Sequence, residues 1–135
     1  MPYELSFTKS LAVEDPDIYW NECCWGGDRI SDHLLPVIRA EYQSVWNDQE
    51  DWGWFIWFQD GSTKLAVDVF CDDPKTGTFR IFLTSQVKRP LFGYHIVDTD
   101  ELYELKNKVS KELEGWVDGD IVETLLDKNH DPVDT

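Results

Sequence analysis

The chain has 135 residues and a formal net charge of −15, from 27 acidic and 12 basic side chains, with 41% hydrophobic and 14% aromatic residues. That length suits one domain with its own core, which needs no disulfide or metal staple. The acidic excess excludes a nucleic-acid binder, because phosphates need a basic face, and it argues against docking on anionic lipid.

In chain order, Tyr3, Leu5 and Phe7 alternate with polar residues and predict a half-buried strand. The opening residues have no basic region followed by an apolar core, so a signal peptide is not expected. No apolar run approaches the ~18 residues of a membrane span. Three Cys without a secretory signal predict reduced thiols and a cytoplasmic location. A polar break at Val13-Glu14-Asp15-Pro16 follows, then a stretch with Tyr19, Trp20, Cys23, Cys24 and Trp25 that ends at the turn signal Gly26-Gly27. Ser31-Asp32-His33 reads as a helix start. Leu34, Leu35, Ile38 and Tyr42 recur at helical spacing and predict a helix over 34–46. Pro36 is awkward inside a helix and suits the first helical position. Residues 47–51 read as a polar loop.

Three strands are then predicted, 52–59, 64–71 and 78–84, joined by turns at Asp60-Gly61-Ser62-Thr63 and Asp73-Pro74-Lys75-Thr76-Gly77. Residues 86–90 read as a basic loop and 91–97 as a fourth meander strand. Asp98 and Glu101 stand at capping-box spacing. They open a helix over 99–114 with the apolar stripe Leu102, Leu105, Val109 and Leu113, which Gly115 can cap. Ile121 to Leu126 suit a short helix or strand.

Pairing Phe58 with Leu65, and Cys71 with Phe79, sorts the meander into two faces. One is uniformly apolar, with Trp52, Trp54, Ile56, Phe58, Leu65, Val67, Val69, Phe79, Ile81 and Leu83. A one-residue slip would destroy that uniformity, which supports the register. The other face is mixed and holds Phe55, Trp57, Ala66, Asp68, Phe70, Arg80 and Phe82, with Asp68 opposite Phe82 and near enough to Arg80 for a cross-strand ion pair. The expected fold is a single α+β domain over 1–127, with an antiparallel meander of about four to five strands and two main helices on one face, then a flexible polar tail at 128–135.

Candidate chemistry is sparse. Cys24 near two glycines suits a nucleophile if His33 or His95 serves as its base and Arg29 with the helix start lowers its pKa. The simpler reading packs Cys23 and Cys24 as small apolar residues beside Trp20 and Trp25. Cys23, Cys24 and Cys71 lack the C-x-x-C spacing of a zinc site. Asp68, Asp72 and Asp73 offer oxygens to a hard cation, but Asp72 and Asp73 are more simply turn formers before Pro74. Glu50 and Asp51 suit an exposed loop better than acid/base work. No phosphate loop, dinucleotide fingerprint, nucleophile elbow or H-E-x-x-H is present. No metal and no cofactor are therefore expected.

The mixed face, with Phe55, Trp57, Asp68, Phe70, Arg80 and Phe82, is the candidate binding surface. It is expected to be covered by the segment carrying Tyr19, Trp20 and Trp25, by a second copy in a homodimer, or by a partner. The acidic charge favours a basic protein partner. In composition and size the chain resembles bacterial immunity proteins of toxin–antitoxin or contact-inhibition systems. That resemblance implies a non-catalytic inhibitor that occludes a basic toxin. The alternative expectation is a small cysteine-dependent enzyme or ligand-binding domain built on Cys23-Cys24.

Overall fold

The computed structural model describes residues 2–13, 15–91, 93–127 and 129–133. Its elements run β1 (Tyr3–Thr8), two single 3₁₀ turns (Pro16–Ile18 and Glu22–Cys24), α1 (Gly27–Glu41), β2 (Gln43–Glu50), β3 (Gly53–Asp60), β4 (Thr63–Asp73), β5 (Thr78–Arg89), β6 (Gly93–Ile96), α2 (Asp100–Glu114) and β7 (Val122–Leu125). The fold is α+β, with an open antiparallel sheet of seven strands in the order β2-β3-β4-β5-β1-β7. β6 also pairs with β5. β1 takes residues 78–83 of β5 and β6 takes residues 86–89, so the two lie end to end along one edge of β5.

The predicted four to five strands therefore become seven. β2 was expected as the end of a helix and a loop. Its sequence hides the strand because it is an edge: only Gln49 is buried, so no apolar alternation marks it. The basic stretch 86–89 continues β5 and pairs with β6, and Phe92 of the predicted 91–97 strand lies outside the described residues. Residues 122–125 resolve as a strand, because β1 offers them a second edge.

α1 begins at Gly27, earlier than the sequence reading, and Pro36 sits inside it at an exposed position. There the carbonyl that loses its donor can face water. The early start depends on Gly26 and Gly27. Gly26 caps the helix in a left-handed conformation at φ 70°, and a Cβ on Gly27 would lie 2.2 Å from the Trp54 ring. The helix ends at Glu41 because Tyr42 turns inward against Phe58, with ring centroids 4.6 Å apart. A bulge between Gln43 and Trp46, with Ser44 at φ 56°, then starts the strand. α2 is capped by Thr99, not Asp98: the Thr99 hydroxyl accepts the Leu102 N–H at 3.0 Å.

The core is the predicted apolar face closed by both helices. Leu5, Ile56, Val67, Val69, Phe79, Ile81 and Leu83 from the sheet meet Ile30, Leu34, Ile38, Leu102, Leu105, Val109 and Leu113 from the helices. The predicted pairs Phe58–Leu65, Ile56–Val67, Trp54–Val69, Cys71–Phe79, Val69–Ile81 and Val67–Leu83 are all present. Trp52 departs from this register. It precedes β3, and its ring lies 5.0 Å from Phe70 on the opposite side of the sheet. Gly53, at φ 155° and with no room for a Cβ beneath the Val69 carbonyl, makes that switch.

The segment expected over the mixed face packs elsewhere. Trp25 stacks on Phe79 at 6.1 Å and Trp54 donates its indole N–H to the Cys24 carbonyl at 2.9 Å, so both 3₁₀ turns lie at the helix-covered side. Gln49 holds them there, accepting the Trp20 N–H at 3.0 Å and donating to the Ile18 carbonyl at 3.1 Å. Glu14 of the predicted polar break lies outside the described residues, as do Lys128, Asp134 and Thr135 of the predicted flexible tail. Within that tail, the Val133 N–H donates to the Leu125 carbonyl and Leu126 bridges Pro132.

Candidate functional site

Alternation along each strand carries Phe55, Trp57, Asp68, Phe70, Arg80 and Phe82 together to the side of the sheet away from the helices. Cross-strand pairing keeps neighbours on one face, so Asp68 stands between Phe55 of β3 and Phe82 of β5. The face also gathers Trp46, which opposes Trp57, and Glu4, which opposes Phe82. Both helices pack on the other side, so here the rings cover one another. Trp46 meets Phe55 and Trp57 edge-on at 4.8 and 5.5 Å, and Phe55 stacks on Trp57 at 4.0 Å. Phe70 tilts against Phe82 at 5.0 Å. This arrangement buries Phe55 to 1% exposure but leaves Trp46 at 57% and Trp57 at 36%.

The two halves of the face differ in ion pairing. Around Arg80 two carboxylates share one guanidinium. Its guanidinium donates to both Asp72 oxygens at 2.9 and 2.8 Å and to Glu4 at 3.3 Å, and it lies 5.4 Å from the centres of the Phe70 and Phe82 rings. The expected Asp68–Arg80 pair is not formed, because Arg80 is engaged by these two carboxylates. Asp68 instead accepts the Trp57 indole N–H at 3.0 Å. Burial raises its carboxyl to about 6, and the Trp57 hydrogen bond only partly opposes that. Among the described residues no ion pair joins Asp68. Beside the two indoles opens a cleft of about 480 Å³, which Ser44, Lys64, Thr84 and Gln86 also line. Lys64 there lies 3.8 Å over the Tyr94 ring.

Trp46, Glu4 and Tyr94 were absent from the sequence-based list. Glu4 was legible in principle, since the alternation of β1 sends it to the face opposite Leu5. Trp46 was hidden because its stretch read as helix.

The cysteine candidates are dispersed. Cys24 is fully buried and its thiol donates to the Glu50 carbonyl at 3.0 Å. Burial raises its pKa, the reverse of what a thiolate nucleophile needs. Cys71 is also buried and pushed up to about 12, while Cys23 is exposed. His33 stacks on Trp116 at 4.0 Å and lies 3.6 Å from the Glu112 carboxylate, so it faces α2 and not Cys24. Glu50 lies in β2 and Asp51 in the turn after it. Among the described residues no group of three His, Cys, Asp or Glu side chains is placed to hold a metal ion, and no helix is long and apolar enough to cross a membrane.

These features define an α+β protein whose sheet is covered by helices on one face and only partly shielded by its own side chains on the other. No protein-family model matches the chain, and neither the curated proteins nor the solved structures contain a significant match to it.

Proposed function

We propose that this chain is a non-catalytic binding protein that docks the helix-free face of its sheet on a basic protein partner, in the manner of an immunity or antitoxin-like inhibitor. The observation that carries the reading is the aromatic face itself. Two large indoles, Trp46 on the edge strand β2 and Trp57 on the neighbouring β3, stand partly in solvent, with a carboxylate beside Trp57. Exposed Trp clustered around one polar group is the composition of a protein-docking surface. The net charge of −15 selects for a basic partner through faster encounter and repels acidic competitors.

Affinity capture from a lysate of the native host tests this, with wild-type protein and the double variant Trp46→Ala/Trp57→Ala immobilised side by side. The reading expects basic proteins that are retained by the wild type, lost by the variant and released as salt rises. Capture that is indifferent to both the substitutions and the salt contradicts it.

A further inference from the structure

Among the described residues Asp68 is a carboxylate with no cation paired to it. On the same face Glu4 and Asp72 share Arg80, whose guanidinium also lies over the Phe70 and Phe82 rings. Asp68 stands one residue pair further along that surface, walled by Phe55 and Phe82, with only the Trp57 indole donating to it among the described residues. A carboxylate accepts several hydrogen bonds, so one donor leaves most of its capacity unused. Even a half-buried charge without a counter-ion opposes folding. Nothing in the core packing calls for an ionised group on this side of the sheet. The side chain makes chemical sense if the missing cation arrives with another molecule.

We infer that the helix-free face receives one arginine side chain of the basic partner, its guanidinium paired with Asp68 and lying against the Trp57 ring. This inference rests on the docking reading above and adds the chemistry that the partner must present. Arginine fits better than lysine because a planar guanidinium can pair with a carboxylate and stack on a ring at once. Arg80 already takes that pose within this chain. A second copy of the chain is a poor occupant. It brings another charge of −15, and its own Arg80 is engaged.

The test uses the full chain and N-acetylarginine amide as probe, read by NMR at the Trp57 indole N–H and the Asp68 side-chain carboxyl. The expected result is a saturable shift of the Trp57 signal and a fall of the Asp68 titration midpoint from about 6 as the probe is added. Asp68→Asn should weaken the probe roughly tenfold, while Glu104→Gln, on exposed α2 surface, should leave it unchanged. A Trp57 signal that does not respond, or that responds equally in Asp68→Asn, overturns the inference. So does light scattering that shows a wild-type dimer split by Trp57→Ala, since that assigns the face to a second copy. The two readings fail separately. If host proteins are lost by Trp46→Ala/Trp57→Ala but kept by Asp68→Asn, docking stands and the arginine does not.

Discussion

The two faces of the sheet solve one problem in different ways. Both are aromatic, and both must keep large rings from water. On the helix side the chain supplies the cover, and Ile56, Val67, Val69, Phe79, Ile81 and Leu83 are fully buried beneath α1 and α2. On the other side no helix arrives, and the rings shield each other only in part. The charges follow the same division. The helix side buries one notable ion, Lys106, and it is paired with Glu123 at 2.9 Å. The open side holds Asp68, which has no such partner among the described residues. The comparison teaches that aromatic content does not separate core from surface here. The presence or absence of helical cover does.

The largest expected effect lies on the closed face. Ile81→Ala should cost about 2–5 kcal/mol, because its site is roofed on every side and cannot collapse cheaply. Denaturant unfolding measures it. A loss similar to that of an open-face substitution would erase the distinction between the faces.

The second effect has the opposite sign. The Asp68 carboxyl sits at about 6 in the fold against 3.8 as the ordinary value. Between those values the folded chain keeps a proton that the unfolded chain has released. Stability therefore falls as pH rises through that window and stays lower above it. Asp68→Asn removes the penalty, and its amide oxygen can still accept from Trp57. It should stabilise the protein at neutral pH by up to about 3 kcal/mol, at 1.36 kcal/mol per pKa unit, and the gain should vanish in acid. Unfolding curves across pH 3 to 8 read this directly. A gain that does not depend on pH would show that charge is not its cause.

How much of this was legible in the sequence depended on burial pattern. The meander pairs followed from alternation, because β3, β4 and β5 are central strands with one wholly apolar face. β2 was invisible because an edge strand needs little apolar surface, and Gln43 to Glu50 carry almost none of it inward. Trp52 was assigned to the wrong face because the Gly53 backbone, at φ 155°, interrupts the alternation that the assignment assumed. The six residues of the open face were grouped correctly, since period and register alone decide that. Their bonding was not readable. Asp68 and Asp72 both lie on β4 near Arg80, and alternation alone does not choose between them; Glu4 comes from β1, which is distant in sequence.

Smaller effects sharpen the comparison. Thr99→Ala should cost about 1 kcal/mol, through loss of the cap on Leu102 and of the hydrogen bond that the Thr99 hydroxyl donates to Ser85. Trp46→Ala should cost a similar or smaller amount, about 1 kcal/mol from lost ring contacts, because its indole is already half in solvent. A markedly larger loss would place Trp46 in the core. Thiol labelling is the mildest probe. Cys23 should react in the native protein, whereas Cys24 and Cys71 should react only on unfolding. Rapid native labelling of Cys24 would revive the enzyme reading.

The most direct measurement follows one substitution through two assays. Asp68→Asn is compared with wild type for unfolding free energy at neutral pH and for retention of basic host proteins at low salt. A carboxylate kept for a partner's arginine predicts a variant that is more stable and retains less. A variant that is no more stable than wild type, or one that retains the same proteins equally well, would contradict it.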